Sequence, residues 1–437
     1  VLLSVLKQIR AGLGFTGPVF SAFKQALAEF IDQLAGAFRL LEDRNEREDP
    51  KRKGQSMAPS LVEDYITRPS NPLARYYHKI LEGERITREE AVEIYNSDDL
   101  LAIGILADTA RVTRTPSDVR GYVYWVHNFH INPTNICEAN CRFCSFKKGP
   151  KSPFAYVMSV DDVIEQVNKY PMKDSLSEFH VVSGLYDKQG LEYYRDLFVA
   201  LKMNFPKVHI KGLTAVELDY IAKLEGMTVE EVLPILKEAG LGSLPGGGAE
   251  VFAERVRQLV CVDKIPAQEW LRIHGLAHSM GMQSNATLLA GLGETPEERI
   301  DHVLAIREQQ DKTGGFMTFI PLNCYYDNNA VDAANALTGV ENLKNFAISR
   351  ILLDNVPHIK SFWIHIGEKL SQVSLSFGVD DIDGTVVQEK IAHAAGTDTS
   401  QALTQAELVN MIRKAGKIPV ERDTVYNIIR VYDEQPV

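Results

Sequence analysis

Cys137, Cys141 and Cys144 stand in a C-x3-C-x2-C spacing directly after a strand-like run. Thiolates this close together can face one metal centre. The other two cysteines, Cys261 and Cys324, lie far away in sequence, so the loop offers three local ligands. A structural zinc site normally closes with four protein ligands. An iron–sulfur cubane is usually held by cysteine thiolates, and three of them would leave one iron open to a substrate. The plainer alternatives are a zinc knuckle completed by His130 or a distant cysteine, and chance clustering. An aromatic residue, Phe143, precedes the third cysteine.

Other residues have types suited to a site. Ser183 and Gly184 end a strand-like run, and small residues there let backbone come close to a ligand or form a simple turn. Glu217 follows another such run. Its carboxylate suits a ribose or an ammonium group, or serves as an ordinary first-turn helix acid. Pro245 is followed by Gly246, Gly247 and Gly248, whose amides can approach an anion or carboxylate. The loop lacks the GxxxxGK[ST] pattern of a nucleoside-triphosphate site. His130, Asn132, Thr134 and Asn135 crowd one strand end, either to bind polar groups of a substrate or to brace the cysteine loop. Arg350, Asp354, His358 and Arg422 supply charge for a substrate carboxylate, or for surface pairing.

The elements that position these residues follow from length and pattern. The chain has 437 residues, enough for two to three average domains or one large barrel with additions. Its 47 basic and 58 acidic residues leave a formal charge of −11, which argues against nucleic acid as the main partner. Five cysteines, three of them clustered, are no disulfide framework; they point to a reducing, cytoplasmic setting. No run approaches the roughly 20 apolar residues of a membrane span.

Residues 1–56 read as an N-terminal extension, with an amphipathic helix over 20–41 and a charged linker at 43–53. Residues 57–121 read as a helical region, with Thr87 and Glu90 in capping-box spacing and Ser97 or Asp98 as a second cap. From 122 to 400, strands alternate with helices. They are expected at 122–132, 179–184, 208–217, 242–248, 282–291, 316–322, 361–367 and 373–379. Thr295, Pro296 and Glu298 start one of the helices. Eight such units predict an α/β fold, a (β/α)8 TIM-type barrel whose site gathers at the C-terminal strand ends. Residues 401–437 add a C-terminal helix, capped by Thr404 and Glu407, and a tail.

The C-x3-C-x-aromatic-C pattern resembles the signature loop of the radical S-adenosylmethionine (SAM) enzymes. HINPTNIC, HIKGLTAVE, GSLPGGGAEVF, NATLLAGLGETPEER, ISRILLDNVPHIK, FGVDDIDGT and PVERDTVYN, in order from 130 to 427, further resemble the aminofutalosine synthase family of menaquinone biosynthesis. The resemblance extends over most of the chain beyond residue 56. It implies a [4Fe-4S] cluster on Cys137, Cys141 and Cys144, with SAM chelated at the open iron and consumed as a substrate. It implies Phe143 beside adenine, Ser183 and Gly184 at the methionine amino group, and Gly291 and Glu294 near adenine. Glu217 joins these as a SAM-binding candidate. The expected chemistry is addition of a 5′-deoxyadenosyl radical to the enol ether of 3-[(1-carboxyvinyl)oxy]benzoate, with aryl migration and decarboxylation. The substrate's two carboxylates are expected at His130, Asn132, Gly246, Gly247 or Arg350. An external flavodoxin or ferredoxin is expected to supply the electron. Two departures stand out: Ser183 replaces a glycine, and KKGPKSPF follows the cluster loop. Sibling radical enzymes of the dehypoxanthine futalosine cyclase or deazaflavin synthase type, and a zinc-stabilised binding protein, are the competing readings.

Overall fold

The computed structural model describes residues 61–433. The helix expected over 20–41 and the linker at 43–53 lie outside the described residues. The chain divides into two compact units, Val1–Arg75 and Tyr76–Val437. In the first, the described residues include helix Leu61–Ile66, after which the Thr67 hydroxyl donates to the Glu63 carbonyl at 2.7 Å.

The second unit is built on a curled parallel sheet. Strand β1 (Tyr122–Val126) stands outside it. Strands β2 (Asn128–Ile131), β3 (Glu178–Val181), β4 (His209–Gly212), β5 (Leu241–Leu244), β6 (Gln283–Ala290), β7 (Phe316–Asn323) and β8 (His358–Ile359) then run side by side in chain order. The segment beginning with β9 (Asp381–Gly384) fills the eighth place. Lys360 bridges to Asp381, and Ser361 N donates to the Asp381 carbonyl at 2.8 Å. On its other side Phe129 bridges to Val387, and His130 N donates to the Val387 carbonyl at 2.8 Å. The ring therefore closes on β2, in agreement with the (β/α)8 barrel expected from the alternating pattern.

Closure differs in detail from the sequence expectation. The run 122–132 is two strands. It breaks at His127, whose ring bonds the Ser175 carbonyl and the Tyr170 hydroxyl, both at 3.0 Å. β1 then pairs in parallel with β9 and with β10 (Ile418–Arg422), and β10 pairs antiparallel with β11 (Ile428–Val431). The seventh strand is His358–Ile359, and the apolar run 361–367 instead contains helix Trp363–Ile366. The run 373–379 falls at the end of helix Glu368–Ser374 and the turn after it. The eighth strand uses Asp381 and Asp383, which strands ordinarily disfavour. Buried cations override that preference: Arg422 Nε donates to Asp381 Oδ2 at 2.7 Å, and Lys360 Nζ lies 3.3 Å from Asp383 Oδ1.

Local signals set the helix starts. Capping boxes are present at Thr87–Glu90, Ser159–Asp162, Thr295–Glu298 and Thr404–Glu407. Helix Leu100–Arg114 is capped by Asp99, not by Ser97 or Asp98, and Ser97 closes the preceding helix. That helix covers one side of the barrel, where Arg114 donates to the carbonyl of Arg350 on helix Gly339–Leu352 at 3.0 Å.

Side chains alternate between two faces of the strands. Phe179 packs outward against Phe205 at 5.5 Å between ring centroids. The opposite face carries Glu178, His180 and Lys211, and Lys211 Nζ meets Glu178 Oε1 at 2.6 Å inside the barrel. Such buried pairs fix an arrangement more than they add net stability.

Candidate active site

Six strand ends meet at one mouth. The cysteine loop follows β2, Ser183 and Gly184 follow β3, and Glu217 follows β4. The glycine loop follows β5, Gly291 and Glu294 follow β6, and Tyr325 and Tyr326 follow β7. This is the C-terminal end of the barrel, where catalytic loops gather in such folds.

The cysteine loop is pinned to β3 by backbone. Ser183 Oγ accepts from Thr134 N at 3.1 Å and donates to the Thr134 carbonyl at 3.2 Å. Gly184 N donates to the same carbonyl at 3.1 Å. A Cβ on Gly184 would lie 2.1 Å from the Ile136 oxygen and 3.1 Å from Cys137 Cβ. The small residues expected to admit a ligand thus admit the cysteine loop itself. Thr134 Oγ1 and the Asn135 side chain tie the loop to Tyr156 and Phe154.

The three loop thiols are free. Burial raises Cys141 to about 12 and also raises Cys144, while Lys264 opposes both shifts. Thiolate ligation would therefore release protons on loading. Among the described residues no set of three or more His, Cys, Asp or Glu side chains is gathered to hold a metal ion. Ligands to one zinc must meet at one point, whereas cubane ligands sit on separate irons. Three unpaired thiols on one loop, in electrostatic reach of one another, fit the cubane as a donor set.

Two acids brace the mouth. Glu217 is buried; Oε1 accepts from Ser183 N at 2.8 Å and Oε2 from Thr214 N at 2.7 Å. Burial pushes its carboxyl up to about 7, although these donors pull the other way. Glu294 accepts from Gly291 N at 2.8 Å, Leu292 N at 2.7 Å and Arg299 Nε at 2.6 Å. Gly291 has a left-handed φ of 93° and its carbonyl takes the Tyr326 hydroxyl at 2.8 Å.

Gly246 lies against β6, where a Cβ would meet Ala286 Cα at 2.8 Å; beside Gly247 a Cβ would meet only Thr214 Cγ2, at 3.2 Å. After the glycines comes Glu250, at a left-handed φ of 51°, in an ion pair with Lys264. Lys264 Nζ also lies 5.2 Å from the Phe143 ring centroid. Burial pulls the Lys264 ammonium down, and Glu250 beside it outweighs that and raises it. The pair joins the glycine loop to the cysteine loop and was not foreseen from sequence.

His130 stacks on His180 with centroids 4.6 Å apart and planes 16° apart. Burial lowers both rings, His180 further because His130 adds to it. His130 Nε2 and Asn132 Oδ1 are buried without a protein partner. His180 also escaped the sequence reading, yet its strand register opposite His130 is legible once β2 and β3 are paired.

Arg350 lies apart from this group. Its guanidinium donates to the Gly378 carbonyl at 2.7 Å, the Pro357 carbonyl at 3.0 Å and Asp380 Oδ1 at 2.7 Å. All three belong to segments entering β8 and β9, at the end of the barrel away from the cysteines. Its donors are committed there, so the structure does not bring it to the expected substrate carboxylate. Arg422 is likewise held at Asp381.

Comparison with known proteins accords with this geometry. The radical SAM superfamily matches over residues 131–306, and the CofH/MqnC C-terminal region over 313–435. Aminodeoxyfutalosine synthase of Thermus thermophilus is 43% identical over 360 residues, covering 81% of this chain and 95% of that protein. Its namesake from Streptomyces coelicolor is 42% identical, covering 81% and 93%. Cyclic dehypoxanthine futalosine synthase of the same organism is 35% identical, covering 80% and 88%. Among solved structures, the FeFe-hydrogenase maturase of Carboxydothermus hydrogenoformans aligns with a TM-score of 0.62 at 18% identity, covering 85% of this chain and 87% of that one, a likeness of fold.

Proposed function

Since the chain belongs to the radical SAM superfamily of enzymes, we propose that it acts as an aminodeoxyfutalosine synthase in menaquinone biosynthesis. It would join the adenosyl part of SAM to 3-[(1-carboxyvinyl)oxy]benzoate, with aryl migration and loss of carbon dioxide. The observation that carries this reading is the identity gap: 43% to aminodeoxyfutalosine synthase against 35% to the cyclic dehypoxanthine enzyme. When bound, a [4Fe-4S] cluster supplies the electron that opens the sulfonium of SAM.

The chain's own residues do the rest. Cys137, Cys141 and Cys144 hold the cluster, and Ser183 and Gly184 fix the height of their loop. Phe143, with Lys264 Nζ 5.2 Å from its ring centroid, and the Glu294-braced turn at Gly291 are the residues that would receive adenine. Glu217 orients Ser183 N through Oε1 and can accept a further hydrogen bond from SAM's methionine ammonium. His130 and Asn132 present unpartnered polar atoms to the substrate, and Gly246 and Gly247 line the adjacent wall. The loops after six strands exclude water from the reacting carbon and hold the two fragments in register. Among the described residues no helix is long and apolar enough to cross a membrane. The proposed enzyme works in the cytoplasm and takes its electron from an external flavodoxin or ferredoxin.

The test is anaerobic reconstitution with iron and sulfide, reduction, and addition of SAM with the enol-ether benzoate, followed by mass spectrometry. The expected product is an adenosyl adduct that has lost carbon dioxide. Free 5′-deoxyadenosine alone would move the chain to a sibling reaction. No iron uptake and no SAM cleavage would overturn the reading.

A further inference from the structure

The KKGPKSPF stretch has no role in the chemistry above, and its charge is anomalous. From Ala139 to Val160 the chain has Arg142, Lys147, Lys148 and Lys151 and no acidic residue, within a protein of formal charge −11. Hydrogen bonds show that this stretch wraps the outside of the cysteine loop. Lys147 Nζ bonds the Asn140 side chain, Lys148 N donates to the Asn135 carbonyl at 2.7 Å, and Asn135 Nδ2 donates to the Phe154 carbonyl at 2.9 Å. On the other flank Arg142 N donates to the Val260 carbonyl at 2.8 Å, which brings Leu259 and Val262 alongside. Phe154 is 74% exposed, Leu259 58% and Val262 59%. Four acids border the arc: Asp263, which accepts from Asn140 N at 2.8 Å, exposed Glu138 at its start, and exposed Asp161 and Asp162 at its end.

We propose that this arc is the docking face for an acidic one-electron donor protein, with Arg142, Lys147, Lys148 and Lys151 steering it and Phe154, Leu259 and Val262 forming the dry contact. The proposal rests on the radical SAM reading and goes beyond it by placing the partner. Electron tunnelling weakens steeply with distance, so a donor must seat close to the cysteines. At the far end of the barrel Arg350–Asp380 and Arg422–Asp381 occupy the strand starts. Basic charge beside a few exposed apolar groups suits a weak, fast redox encounter, in which complementary charge sets the on-rate. At the contact the partner loses one electron and the cysteine-held cluster gains one; no bond is made or broken.

The test uses the reconstituted full chain and reduced flavodoxin as the probe. Lys151→Glu/Phe154→Ala, and separately Lys147→Glu/Val262→Ser, are compared with the wild type and with Lys169→Glu, at the C-terminal end of helix Val160–Asn168, as control. The readouts are the rate of cluster reduction, followed by absorbance and EPR, and the affinity for oxidised flavodoxin. Expected is a fall of about tenfold or more in the second-order reduction rate for either double variant at low ionic strength. The part of the difference due to charge should vanish in about 0.5 M salt, where screening removes steering, leaving only the part due to the lost apolar contact. Reduction by dithionite and the SAM cleavage it drives should stay at wild-type level. Flavodoxin reduction as fast in both double variants as in the wild type would overturn the docking face. A wild type that binds no cluster would instead overturn the enzymatic reading, and the docking face with it.

Discussion

Gly184→Ala is the sharpest perturbation of the cysteine loop. The new methyl would start 2.1 Å from the Ile136 oxygen, so the two backbones must part by more than about 1 Å to reach an ordinary contact. That movement breaks the Gly184 N bond to Thr134 and loosens the paired bonds of the Ser183 hydroxyl. Overpacking at about 1–3 kcal/mol and two lost bonds at about 1 kcal/mol each give a loss of about 3–5 kcal/mol. For a chain of this size, with about 2.1 cal/mol/K of unfolding entropy per residue, that lowers the unfolding temperature by roughly 3–5 °C. Cys137 is the first ligand displaced, so bound iron should fall with stability. The assay is anaerobic calorimetry with iron counted per chain. Ser183→Ala is the comparator, losing about 1 kcal/mol while keeping its iron. A Gly184→Ala protein with wild-type unfolding temperature and full iron content would refute the reasoning.

Alanine at Cys137, Cys141 or Cys144 should abolish iron uptake, whereas alanine at Cys261 or Cys324 should not; iron and sulfide analysis decides this. Glu217, with its folded carboxyl raised from 4.5 to about 7, binds more protons folded than unfolded between those values. Its contribution is therefore a stability that declines as pH rises from about 4.5 to 7, by about 3 kcal/mol in all. Glu217→Gln should flatten that part of the profile in denaturant titrations across pH. Arg350→Ala leaves Asp380 buried without its cation and should cost about 3–5 kcal/mol. Below its unfolding temperature, however, its KM for the enol-ether substrate should match the wild type, and a KM raised tenfold would return Arg350 to the mouth.

The site was legible in the sequence where its signal is local. The cysteine spacing, the glycine run and the capping boxes depend on a few neighbouring residues, and strands β2 to β7 are marked by apolar runs between helix caps. Closure of the barrel was not legible for the opposite reason. SFWIHIG has the composition of a strand, yet Trp363 closes on Gly384, where its indole N–H donates to the carbonyl at 2.8 Å. DIDG has the composition of a turn, but the cations that make it a strand, Lys360 and Arg422, arrive from elsewhere in the chain. Glu250 and Lys264 are separated by a helix, and only the folded loops bring them together. The hint to the polar interior was the alternation of Glu178 and His180 on β3 and Lys211 on β4 with apolar neighbours.

The parallel pairing of β1 with β10 bears on how the protein is made. Tyr122 waits for Ile418, about 300 positions downstream. At 5–20 residues per second, synthesis takes about 15–60 s to supply that partner. Until β9 is made, β1 lacks neighbours on both edges, and Asp381 then lacks Arg422 until synthesis reaches β10. Contacts of such long sequence separation also form slowly. The cysteine loop emerges early, so its thiols spend this interval on a ribosome-bound chain whose barrel has not yet been secured. Metal loading and oxidative damage therefore compete first over an incomplete fold, and the yield of holoprotein should depend on elongation rate as well as on iron supply.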